Sequence, residues 1–153
     1  MSHPEEKLAE LGLKLPEVAK PVAAYVPAVR TGDLVYTSGQ LPLREGTLIA
    51  TGKVGDAVTP EVASECAQQC ALNALAAVKA EIGDLGNVKR IVKAVAFIAS
   101  TADFTGQPQV ANGASELFGQ VFGDAGQHAR SAVGVPVLPL DAPVEIELIV
   151  EVG

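Results

Sequence analysis

Two rhythms of apolar residues run through the second half of the chain. In 144–150 (VEIELIV), Val144, Ile146, Leu148 and Val150 fall on one side, while Glu145, Glu147, Ile149 and then Glu151 fall on the other. A period of two predicts a strand with one helix-packed face and one wetter face. In 107–122, Val110, Ala114, Leu117, Phe118 and Val121 recur at three- and four-residue spacing, which predicts a helix with one buried side. The stretch 90–100 (RIVKAVAFIAS) sets Val92, Ala94, Ala96 and Ile98 opposite Ile91, Lys93, Val95 and Phe97. It is apolar on most positions of both sides and predicts a central strand.

The first half carries sharper punctuation. Thr59-Pro60-Glu61 predicts a helix start, with Thr capping free N–H groups, Pro needing no donor and Glu facing the positive end of the dipole. Val62, Cys66, Leu72, Leu75, Val78 and Ile82 then continue an apolar stripe as far as Gly83. Upstream, 22–29 (VAAYVPAV) and 34–43 (LVYTSGQLPL) read as two strands around a turn at Gly32-Asp33. Residues 46–55 carry a third short strand or extended loop, and 4–14, with Leu8 and Leu11, a short leading helix.

The order β-β-(β)-α-β-α-β-β predicts an α+β fold: a mixed sheet with two main helices on one face, the other face needing a partner. Repeats, low-complexity tracts and linkers are absent. A single domain over 1–153 is expected, with 1–20 as an N-terminal helical extension.

Composition adds to this picture. Of 153 residues, 48% are hydrophobic and 19% charged, and the mean hydropathy is +0.30, more apolar surface than one subunit should hide. A homo-oligomer is expected. The net charge of -7 and a longest basic cluster of only Lys89-Arg90 with Lys93 argue against a nucleic-acid partner. No segment approaches the ~20 apolar residues of a membrane span, and the acidic start MSHPEEKLAEL is unlike a secretion signal, so a cytoplasmic protein with no membrane partner is expected.

The candidate chemistry is sparse. Cys66 and Cys70, four apart on a helix, read as small apolar fillers, because the histidines lie far off, His3 in a fraying tail and His128 in a loop. No metal set and no cofactor-binding motif emerge, and Ser38 in TSGQLP has no base to activate it. Arg130 stands out as the only cation between His128 and Gly153, at the mouth of an apolar run. Its planar fork of donors matches a small carboxylate. An ion pair with Glu145 or Glu147, across a hairpin with the following strand, fits the spacing as well.

ARSAVGVPVLP, 129–139, resembles the signature of the RidA/YjgF family. AAYVPAV, LVYTSGQLPL, the stretch 74–98 and VEIELIV are similar to family elements in the same order, so the resemblance covers most of the chain. It implies a chorismate-mutase-like sandwich, in which three subunits close a barrel core with helices outside and pockets between neighbours. The implied activity is hydrolytic deamination of small 2-imino or enamine acids to 2-oxo acids and ammonium, without cofactor or metal.

Carried over residue by residue, the resemblance implies that Arg130 holds the substrate carboxylate and that Glu145 orients or activates water. Tyr25, Gly39, Asn112 and Ala132 would line the substrate site. Ala132 is itself a departure, since family deaminases usually carry cysteine there; the longer N-terminus and the extra residues around 100–108 resemble a distinct, longer branch of the family. A non-catalytic trimer that binds or senses a small 2-oxo carboxylate is the alternative. RNA cleavage is a third reading, against which the net charge stands.

Overall fold

The computed structural model describes residues 3–19 and 23–153. Helix α1 spans Pro4–Glu10, α2 Pro60–Ile82 and α3 Gln107–Phe122; the strands are β1 Ala28–Thr31, β2 Leu34–Thr37, β3 Leu43–Arg44, β4 Thr47–Leu48, β5 Val88–Ala99, β6 Ala129–Val135 and β7 Val144–Val152. Five strands form one sheet in the order β1-β2-β7-β5-β6, and β3 and β4 form a separate small hairpin. The fold is the expected α+β arrangement, with a mixed sheet in which only β5 and β6 run parallel.

The long helix starts where its cap predicts. Thr59 Oγ1 accepts a hydrogen bond from the Val62 amide at 3.2 Å, and Gly83 at φ +86° ends the helix in a conformation that costs glycine least. Cys66, Leu72, Leu75 and Val78 are buried, whereas Val62, in the first turn, is exposed. All five predicted core positions of α3 are buried. The two helices share one face of the sheet and pack closely: a Cβ on Gly113 of α3 would lie 2.1 Å from the Ser64 carbonyl oxygen of α2.

Several expectations are corrected. The strand 22–29 pairs only from Ala28, because Pro27 offers no amide and restricts Val26; Val22 lies outside the described residues. β2 stops at Thr37, whereas the third short strand expected in 46–55 is present as Thr47–Leu48. The leading helix ends at Glu10, Gly12 at φ +73° turns the chain, and 13–19 are non-helical; residues 1, 2 and 20 of the expected extension lie outside the described residues. His3 is not frayed, since Nδ1 accepts from the Glu5 amide and Nε2 meets Asp84 at 2.5 Å. Leu8 is buried and Glu5 pairs with Lys79, so α1 is docked at both ends.

β5 is central, between β7 and β6, but its alternation is broken. A register shift between Ile91 and Lys93 turns Ile91 to the buried side with Ala94, leaving Val92 half-buried. The extra residue of a bulge shifts phase by one, which no periodic reading of the sequence includes.

Candidate functional site

The expected hairpin of β6 with β7 does not exist, because β5 lies between them. β5, α3 and β6 make a strand–helix–strand unit, and a helical crossover leaves its strands parallel neighbours. The ion-pair reading of Arg130 fails with the hairpin. Arg130 faces Ala94 on β5, which faces Leu148 on β7, so its side chain rises on the helix-covered face. Glu145 faces Phe97, which faces Val133, on the uncovered face. On the lattice of the sheet the two backbone positions lie two strands and three residues apart, roughly 14 Å.

Arg130 is held by α3. Its Nη1 donates to Asn112 Oδ1 at 2.8 Å and to Ser115 Oγ at 3.2 Å, and these are its partners among the described residues. Asn112 and Ser115 are three apart on the helix and so share a face. Ser115 Oγ lies 2.8 Å from His128 Nε2, and His128 Nδ1 lies 2.7 Å from the Gly126 carbonyl oxygen. The carbonyl can only accept, so Nδ1 donates to it; in the neutral form of the ring Nε2 then accepts from Ser115. A T-shaped contact with Phe118, with centroids 5.4 Å apart, seats the ring. The Nε and Nη2 donors of Arg130 make no hydrogen bond among the described residues.

A second cluster occupies the other face. A Cβ on Gly39 would lie 2.0 Å from Glu145 Oε1, so the carboxylate rests where only glycine leaves room. The Gln40 amide donates to the Ile146 carbonyl at 2.8 Å, pinning this approach. Desolvation, and then the Glu147 charge on the same face, push the half-buried Glu145 carboxyl above its ordinary value.

The fold therefore joins Arg130 with Asn112, and separately Gly39 with Glu145, but does not bring the two pairs together within one chain. Ala132 shares the face of Arg130 and packs against the core, a methyl between strand and helix. Tyr25 is 46% exposed in the segment before β1. Ser115 and His128 were not expected in the site. The signal for them was present: Ser115 follows Asn112 at helical spacing, and His128 precedes Arg130 at strand spacing.

The thiols are fillers in this structure. Both are free; burial pushes Cys66 up to about 11 and Cys70 well above the usual thiol range, and Cys70 Sγ sits 3.6 Å from the Val144 carbonyl. Ser38 Oγ donates to the Val26 carbonyl at 2.5 Å, which fixes a loop. Among the described residues no three His, Cys, Asp or Glu side chains converge as a metal site, and no helix is long and apolar enough to cross a membrane. A cleft of about 1020 Å³ lies away from Arg130, between 12–19, 43–46 and 68–73. Its buried amides are already bonded, Asn73 to the Leu41 and Leu43 carbonyls and Gln69 to Asn73.

Residues 5–152 match the family described as "YjgF/chorismate_mutase-like, putative endoribonuclease". The chain is 44% identical to Protein TCP17 of Trypanosoma cruzi over 95% of its own length and 92% of that protein. It is 35% identical to a 2-iminobutanoate/2-iminopropanoate deaminase of Dermatophagoides farinae, over 90% of this chain and 93% of the relative. Among solved structures, Atu1372 of Agrobacterium tumefaciens, of unknown function, superposes with a TM-score of 0.93 at 46% identity, covering 98% of this chain and 92% of that one. Escherichia coli TdcF with bound serine superposes with a TM-score of 0.66 at 25% identity, covering 90% and 94%.

Proposed function

This chain belongs to the YjgF/chorismate mutase-like family, and from that membership and its own geometry we propose that it hydrolyses small 2-imino acids to 2-oxo acids and ammonium in the cytoplasm, as a homotrimer. One observation carries the reading. Arg130 stands on an edge strand with Nη1 committed to Asn112 and Ser115, which leaves the Nη2–Nε edge to grip a carboxylate with two parallel hydrogen bonds. The serine bound to TdcF and the deaminase among the relatives support a small amino-acid-like ligand.

The chemistry needs little machinery. Water adds to the C=N carbon of the protonated imine while the π pair moves to nitrogen, giving a carbinolamine. A proton passes from the added water to that nitrogen, the C–N bond breaks with its pair going to nitrogen, and the remaining hydroxyl proton passes to the departing ammonia as the C=O forms, giving ammonium. Glu145, its carboxyl held above its ordinary range by burial and the Glu147 charge, is suited in its ionised form to take the water's proton and return it to nitrogen. Arg130 supplies orientation and charge, which account for a useful acceleration of an already facile reaction.

Because Arg130 and Glu145 face opposite sides of one sheet, a pocket using both needs a neighbouring subunit to bring its own Glu145, with Gly39, to the β6 edge. Exposed Val29, Tyr36 and Val133 on the uncovered face support such a neighbour. The test is ammonium release from freshly generated iminopropanoate. The wild type should accelerate it, and Arg130→Ala should lose roughly 100-fold in kcat/KM; equal rates reject the enzyme reading.

The separation of Arg130 from Glu145 also favours a second reading, a trimer that binds a small 2-oxo carboxylate without turnover. Thermal stabilisation by 2-oxobutanoate that depends on Arg130, with no ammonium release, selects it. RNA cleavage is disfavoured by the net charge of -7.

A further inference from the structure

Resting on the reading of Arg130 as a carboxylate anchor, we propose that Ser115 and His128 are positioning residues that decide which edge of the guanidinium meets the ligand. With the imidazole in its neutral Nδ1–H form, every bond in this series has one direction. Arg130 can only donate and the Gly126 carbonyl can only accept. Nδ1–H of His128 therefore points to Gly126, Nε2 accepts the Ser115 hydroxyl proton, and the Ser115 lone pairs are presented to Arg130 Nη1.

The far end of this chain is rigid. Phe118 packs edge-on against the imidazole, and the turn that offers the Gly126 carbonyl is itself tight, since a Cβ on Gly126 would lie 2.1 Å from the Phe118 carbonyl oxygen. Asn112 and Ser115 engage the two Nη1 protons from one helix face, which stops rotation of the guanidinium plane. Without the imidazole acceptor the Ser115 hydroxyl proton has no fixed partner, so the oxygen is held less firmly against Nη1 and the plane less firmly at its second point. His128 thus acts on the ligand only through Ser115.

The dependence is what an experiment reads. Binding of 2-oxobutanoate is measured by calorimetry, and KM and kcat with iminopropanoate, for the wild type, Ser115→Ala, Ser115→Thr, His128→Leu, His128→Gln and the Ser115→Ala/His128→Leu pair. Ser115→Ala and His128→Leu should each weaken binding roughly 5- to 20-fold and raise KM with little change in kcat. The pair should bind no more weakly than Ser115→Ala alone, because one path is removed twice. Ser115→Thr, which keeps the hydroxyl, and His128→Gln, whose amide oxygen can take the place of Nε2, should stay within about threefold of wild type. Multiplicative losses in the pair, or no rescue by Gln and Thr, overturn the relay. Strong Arg130-dependent binding by the wild type that Ser115→Ala leaves unchanged overturns it while sparing the anchor; a wild type that does not bind 2-oxobutanoate overturns both.

Discussion

The two faces of the five-stranded sheet are built by opposite rules. On the helix-covered face, Val35, Ile91, Ile98, Val144, Ile146, Leu148 and Val150 are almost wholly buried beneath α2 and α3, and alanine and glycine let the helices approach closely. On the uncovered face, Val29, Tyr36 and Val133 are exposed beside Glu145, Glu147 and Lys93, a mixture too polar for a core and too apolar for bulk water. The covered face holds the chain together, and the uncovered one is where the proposed trimer would have its subunits meet. Arg130 belongs to the covered side but sits at its edge, where α3 can clamp it without enclosing it.

The comparison can be broken first from the covered side. Leu148→Ala should cost about 3 kcal/mol, lost transfer energy plus a cavity between β7 and the helices, read from a chemical-denaturation midpoint with an unchanged slope. Gly39→Ala acts on the uncovered side and should cost about 1 kcal/mol, because the Glu145 carboxylate can move from the intruding methyl while the backbone stays. Its mark should be functional: ammonium release should fall far more than stability does.

Smaller still is Glu145→Gln. A carboxyl held above its ordinary value binds its proton more tightly folded than unfolded, so that group's contribution to stability falls as pH rises from the unfolded value through the folded one. The substitution should therefore raise the melting temperature slightly at pH 7, with the gain vanishing below the ordinary carboxylate range; thermal melts across pH check the sign. Smallest for the chain itself is Val133→Asp, which should change denaturation energy by no more than about 0.5 kcal/mol. The same variant sharpens the comparison, because light scattering should show a smaller particle if copies meet on this face.

Much of the fold was legible locally. The cap at Thr59, the stop at Gly83, the limits of α3 and the alternation of β7 are each written in a few adjacent residues, and each stands where its pattern put it. The bulge in β5 was not legible, since one inserted residue changes the facing of its neighbours without changing composition. The site was half legible: the resemblance pointed to Arg130, Asn112, Gly39 and Glu145, and the structure sorts them into two pairs. Ser115 and His128 stand at helical and strand spacing from Asn112 and Arg130, but that spacing gains meaning only once the helix and the strand lie side by side.

Local pattern was enough to place the bounds of α2 and α3, the residues of α3 and β7 that turn to the core, and the one permanent cation at the start of β6. Those properties depend on spacings of two, three and four residues. Only the tertiary structure decided that β5 separates β6 from β7, and so that Arg130 meets α3 while Glu145 meets Gly39 on the opposite face. The physical reason is that alternation says which way a side chain leaves its own strand, whereas the neighbour it finds depends on the crossover through α3 and on contacts between segments far apart in the chain.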